Sequence, residues 1–97
     1  MEQNYLIQLE QLNELMRFMD IFKDTLDQCV AEFRERVEKL REQGLTVQTA
    51  QAFETQHIGN IAYFLKQAKD HIDENTKPFI RQNIELTEKL IELNQNS

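Results

Sequence analysis

From Asn4 to Gln43 the apolar positions fall at Leu12, Leu15, Met19, Phe22, Leu26, Cys29, Phe33, Val37 and Leu40. The steps are threes and fours, the spacing of one apolar stripe along a helix. With no Gly or Pro in the stretch, the pattern predicts a first helix over about 4–43. Gly44 then stands where a helix C-terminal cap belongs, behind Lys39 and Arg41 in the last turn and before an apolar Leu45. Thr46 or Thr49 can cap a second helix. The same spacing resumes at Ala50, Phe53, His57, Ile61, Phe64, Ala68 and Ile72. It continues through Phe79, Leu86, Leu90 and Leu93, flanked by Ile80, Ile84 and Ile91. The second helix is predicted over about 47–95. Pro78 interrupts it, because proline removes a backbone donor and crowds the carbonyl four residues back. Either the second helix kinks near Asn75–Pro78, or it stops there and Thr76 caps a third.

Two long helices joined by a short turn near 44–47 must run antiparallel. The expected fold is all-α: one helical hairpin domain over 1–97. A turn centred on Leu45 sets Leu26 near Phe64 and Phe18 near Ile72. In that register Leu90, Ile91 and Leu93 overhang the N-terminus, with little of their own chain to pack against. Gly59 falls inside the second helix, where its cost against Ala of roughly 1 kcal/mol is expected to be offset by a close approach of the first helix.

Composition narrows the class. Two Gly and one Pro in 97 residues leave too few turns for a sandwich, a barrel or a doubly wound sheet. Eleven basic against seventeen acidic residues give a net charge of −6. A nucleic-acid surface needs a basic patch to displace counterions, and an anionic membrane surface asks for the same. The most basic stretch, Phe33 to Arg41, carries Glu35 and Glu38 between its cations, and reads as a solvated face with Glu32–Arg36 and Glu35–Lys39 pairs. The longest apolar run is Ile61 to Leu65, far short of the roughly 20 residues that span a bilayer. Met1-Glu2-Gln3-Asn4 has neither the basic start nor the apolar run of a cleaved signal, so a cytoplasmic chain is expected, or one that leaves without such a signal. A lone Cys29 excludes an internal disulfide, and its place in the stripe suggests an inert core thiol.

No phosphate-binding, nucleophile-elbow or zinc motif occurs. Glu54-x-x-His57 is one copy of a turn that di-metal bundles use twice, and His71-x-x-Glu74 is its reverse. These His read as surface or half-buried side chains. No catalytic or metal residue and no cofactor is assigned, and the chain reads as non-enzymatic. What remains is surface. Phe18 and Ile21 widen the first stripe, and Ile61 to Leu65 wrap more than half of the second helix around Tyr63. A two-helix pair has one line of internal contact, so the excess is expected to meet another chain, or a third helix folded back at Pro78.

The turn carries a family resemblance. Leu45-Thr46-Val47-Gln48-Thr49-Ala50-Gln51-Ala52-Phe53 comes after a forty-residue amphipathic helix. It resembles the hinge of the WXG-type, ESAT-like small proteins of type VII secretion. In those helical hairpins of about a hundred residues, Trp-x-Gly forms the turn and an aromatic commonly lies eight residues after the Trp. Leu45 stands at the Trp position, Val47 at the Gly position and Phe53 at the later aromatic. The family's export signal, an aromatic with an acid four residues on, is replaced here: Tyr63 is followed by Gln67 and Phe79 by Asn83. That departure points to the subset that accompanies LXG-type effectors, binding the effector's helical N-terminal region to complete a bundle. The resemblance implies hinge residues Gly44, Leu45, Val47 and Phe53. With it, the unmatched apolar positions become partner-binding residues: Phe18, Ile21, Tyr63, Leu90, Ile91 and Leu93. The expected partner is another helical protein, or a second copy in a four-helix bundle. The alternatives are a homodimeric adaptor or a cytosolic chaperone of another secretion system.

Overall fold

The computed structural model describes residues 2–96, with side chains for 4–95, and every regular element among them is helical. The first helix, α1, is Glu2–Glu42. The second is joined from pieces: α2 Val47–Phe53, a π turn Glu54–Ile58, α3 Gly59–His71, a second π turn Ile72–Thr76, and α4 Lys77–Asn96. No helix among them is long and apolar enough to cross a membrane.

The link between the two helices arises from its residues. Gly44 takes φ +129°, a left-handed conformation that L side chains rarely adopt. The turn lets Leu45 N–H reach the Leu40 carbonyl at 2.9 Å and Gly44 N–H reach that of Arg41 at 3.4 Å. This is the two-bond glycine cap that satisfies the last carbonyls of a helix. Thr46 caps the next helix: its Oγ1 accepts from Thr49 N–H at 3.1 Å and donates to Thr49 Oγ1 at 2.9 Å.

The chain divides into two compact units, Met1–Phe22 with His71–Ser97, and Lys23–Asp70. In Lys23–Asp70, Arg34 pairs with Glu54 and Asp27 with Lys69, so α1 and the second helix run in opposite directions. In the other unit Asp20 pairs with Lys77 at 2.7 Å, and Gln8 Nε2 donates to Thr87 Oγ1 at 2.9 Å, again in opposite senses. Arg34–Glu54 fits the expected register, and the pairs farther from the turn correct it. Asp27 meets Lys69 rather than the neighbourhood of Phe64, and Phe64 is 65% exposed. Asp20 meets Lys77, where the turn-centred register set Phe18 near Ile72. The overhang shrinks accordingly, since Leu90 and Ile91 are half-buried and Leu93 alone of the three is exposed.

The inward face also differs from the predicted stripes. In α1 the half-buried positions are Tyr5, Leu9, Leu12, Met16, Met19, Lys23, Leu26, Val30, Phe33 and Val37. They alternate fours and threes without a break, a strict seven-residue seam of the coiled-coil kind. Leu15, Phe22 and Cys29 are exposed beside it, and Leu40, next along the seam, is exposed too, so Cys29 is not a core thiol. The apolar arc of α1 is wider than one seam, and spacing alone cannot say which edge of it turns inward.

In the second helix the shift has a sharper cause. Covered positions along the seam are Ala50, Ile58, Ala62, Leu65, Lys69, Ile72, Thr76, Ile80, Asn83, Thr87 and Leu90, with Ala52, Lys77, Pro78, Ile84 and Ile91 half-buried beside them. From Ala50 to Ile58 and from Ile72 to Ile80 the count is one more than a heptad, and a π turn lies inside each interval. A π turn holds an extra residue, worth about 100° of helical phase. The predicted His57, Ile61, Phe64 and Ala68 therefore give way to Ile58, Ala62, Leu65 and Lys69. Phe79 and Leu86 likewise give way to Ile80 and Thr87. The extra residue also explains Gly59, whose added Cβ would lie 3.1 Å from the Glu54 carbonyl of its own π turn, with no atom of α1 within 4 Å. The backbone stays helical through Pro78, which excludes a stop with Thr76 as a new cap. Lys77 N–H reaches the Ile72 carbonyl, and the widened turn sits directly before the proline ring.

The core is thin. Ile58, Ile72 and Ile80 are the buried apolar side chains among the described residues, and Thr87 is buried with them. Thr87 is satisfied: it accepts from Gln8 and donates to the Asn83 carbonyl at 2.7 Å.

Candidate functional site

Each unit has two chemically different sides. In Lys23–Asp70 one side carries charge. Asp27 and Arg34, seven residues apart on α1, reach Lys69 and Glu54. Arg34 grips Glu54 with two nitrogens at 2.9 to 3.2 Å, and that hydrogen bond, then the carboxylate's charge, raises the guanidinium above its usual range. Ion pairs flanking an apolar seam set register and orientation more than they add stability.

The other side of that unit is an apolar groove of about 590 Å³. Its walls are Cys29, Phe33, Val37 and Leu40 from α1, with Leu45 from the turn and Phe53 from α2. The Phe33 and Phe53 rings lie 6.4 Å apart, and Leu40 is half exposed. Glu32 and Arg36 form the charged lip. Their expected mutual ion pair is not formed, and among the described residues neither has a hydrogen-bond or ion-pair partner. Glu35–Lys39 does form, at 3.2 Å. Of the hinge residues, Gly44 makes the turn, Leu45 and Phe53 line the groove, and Val47 lies exposed at the first turn of α2.

In the unit Met1–Phe22 with His71–Ser97, the Asp20–Lys77 pair marks the polar side. Leu15 and Phe22 on α1 each precede a seam position, as do Phe79 and Leu86 on α4. In an antiparallel pair those positions share the side away from Asp20–Lys77. Phe18 joins them, its ring 6.0 Å from that of Phe22 in a stacked arrangement. Leu93 continues the seven-residue spacing of Phe79 and Leu86. Exposure runs from 40% at Phe22 to 66% at Phe79, so this is an open apolar flank.

Phe18 and Leu93 thus sit on the flank, whereas Ile21 lies, by helical phase, on the outer face of α1. Tyr63 is exposed on α3, its hydroxyl accepting from Gln67 Nε2 at 2.9 Å and its ring edge-on to Phe64 at 5.8 Å. Leu90 and Ile91 are largely taken up by their own unit. Sequence reasoning missed Leu15, Phe22, Phe79 and Leu86, which it assigned to the interior. The heptad spacing Phe79–Leu86–Leu93 was the available signal.

The Glu54-x-x-His57 turn is otherwise engaged: Glu54 belongs to Arg34, and His57 packs 6.0 Å from Phe53. His71 Nδ1 lies 3.3 Å from Asn75 Nδ2. Among the described residues no three His, Cys, Asp or Glu side chains converge as metal ligands. Comparison with protein families, curated proteins and solved structures finds no match.

Proposed function

We propose that this chain is a non-enzymatic helical hairpin that acts as a targeting partner in type VII secretion. It binds the helical N-terminal region of an LXG-type effector, or another small helical partner, to form an export-competent bundle. The observation that carries the binding role is the one-sided apolar flank of Leu15, Phe18, Phe22, Phe79, Leu86 and Leu93. Helix-bundle interfaces are built from such heptad-spaced apolar rows. The secretion assignment rests on the hinge resemblance at Leu45, Val47 and Phe53. In this reading the chain is made in the cytoplasm and carried out, if at all, with its effector rather than by a cleaved signal.

The test is co-expression with the neighbouring reading frames, then mass measurement of the complex. A stable complex with a co-encoded helical protein is expected. Phe18→Glu and Phe79→Glu are expected to abolish it, while Ile21→Glu, on the outer face, weakens it less. A chain that forms no complex with any neighbour, or flank variants that bind as well as the parent, would sink the reading.

A further inference from the structure

The groove beside the turn carries an inference of its own, separate from the apolar flank that carries the proposed partner binding. We propose that it is the contact between two copies of this chain, related by a two-fold axis that crosses the groove face of α1 midway between Glu32 and Arg36. The argument begins with charge. Glu32 and Arg36 stand four residues apart on the groove lip, opposite in sign, and among the described residues neither has a partner. Their neighbours Arg34, Glu35, Glu38, Lys39 and Arg41 all are. A two-fold interface repeats each contact, residue i on j and j on i. Two antiparallel copies of α1 therefore place Glu32 against Arg36 of the second copy, and Arg36 against its Glu32. The patch is complementary to itself, and it lies on the lip of the apolar groove.

The apolar content agrees. The groove of about 590 Å³ has Phe33, Leu40 and Phe53 as walls, and half-exposed Leu40 stands one turn beyond Arg36. In a two-fold pair, Leu40 of each copy approaches the Cys29 end of the other's groove and covers it. The chain as a whole is extended in surface. The chain exposes 7515 Å², against about 5,800 Å² for a compact chain of 11.6 kDa by mass scaling. A standard interface needs about 800 Å² from each side.

Charge reversal in the purified full chain, read by sedimentation equilibrium between 10 and 500 µM, tests the arrangement, those concentrations being about the range that resolves micromolar association. The parent is expected at twice the monomer mass at the upper end. Glu32→Arg or Arg36→Glu alone sets like charges together twice per dimer and is expected to weaken association about tenfold. The double reversal Glu32→Arg with Arg36→Glu restores the reciprocal pairs, and is expected to return affinity to within about threefold of the parent. Leu40→Glu is expected to leave a monomer whose melt matches that of the parent at low concentration. A parent that stays monomeric throughout, single reversals that associate like the parent, or a double reversal no tighter than the singles would each overturn the proposal.

Discussion

Gly44 shows how much one backbone angle controls. Its φ of +129° permits both capping bonds, from Leu45 to Leu40 and from Gly44 to Arg41. A side chain there has open space around its Cβ, so the cost is conformational rather than steric contact with neighbours. Gly44→Ala is expected to lower stability by about 1–2 kcal/mol in thermal or urea melts. Thr46→Ala, which leaves Thr49 N–H without its cap, is expected to cost about 1 kcal/mol in the same measurement. Burial separates two other residues that look alike in sequence. Ile58 is 1% exposed and Phe64 is 65% exposed. Ile58→Ala is expected to cost about 2–5 kcal/mol and Phe64→Ala at most about 0.5 kcal/mol, although Phe64 has the larger side chain. If the two substitutions shift the melt equally, the seam has been placed on the wrong face.

At the scale of the element, the second helix keeps its face toward α1 only because its phase is reset twice. An unbroken α-helix carrying this sequence would bring His57, Ile61 and Phe64 inward after Ala50. The π turns put Ile58, Ala62 and Leu65 there instead, then Ile80 and Thr87 after the second reset. The widened ladder costs hydrogen-bond quality, and the burial of Ile58, Ile72 and Ile80 is the offsetting gain. A deletion separates this account from simple helix irregularity. Removing Gln56 takes away the extra residue of the first π turn, leaving an ordinary α-turn with the downstream face unmoved. Its melting temperature is expected to stay within a few degrees of the parent's, by the roughly 4–8 °C that 1 kcal/mol is worth in a domain of this size. Removing Gln67, in the regular part of α3, rotates everything downstream by about 100° and is expected to abolish the cooperative melt. Circular dichroism at 222 nm, the usual helix band at about that wavelength, reads both outcomes.

For the whole molecule the balance is between a thin core and ample surface. Among the described residues three buried isoleucines and a buried threonine stand against fifteen large apolar residues left exposed, so much apolar surface remains available to other molecules. A chain of this kind gains stability mainly by binding. Partner in about hundredfold excess over its dissociation constant is expected to stabilise it by about 2.7 kcal/mol, seen as a melting temperature that climbs with partner concentration. Phe79→Glu is expected to remove that dependence with little change in the melt of the chain alone, because Phe79 is exposed there. The polar sides are expected to matter less. Breaking Arg34–Glu54 removes a solvent-exposed pair, and exposed pairs contribute little once screened by water and salt.

Much of this protein could be read along its sequence. The near absence of Gly and Pro settled the helical class, and the long run of threes and fours made α1 visible. Gly44 with Thr46 just beyond it marked the end of one helix and the cap of the next. These features are local, decided by each residue's own backbone preferences and its neighbours within a turn. Which edge of the apolar arc turns inward was not local. The sequence offers Leu15 and Met16, Phe22 and Lys23, Cys29 and Val30 as equally spaced choices, and the ion pairs of Asp20, Asp27 and Arg34 with the second helix select among them. The resets at Glu54–Ile58 and Ile72–Thr76 lie further out of reach. A π turn has no strong residue signature, and it forms because tertiary burial of Ile58, Ile72, Ile80 and Thr87 outweighs the better hydrogen bonding of a plain α-helix. The sequence therefore determined that the chain is helical and where its helices are joined. The tertiary structure decided which face is core and which is left for a partner, because that choice depends on contacts between segments far apart in the chain.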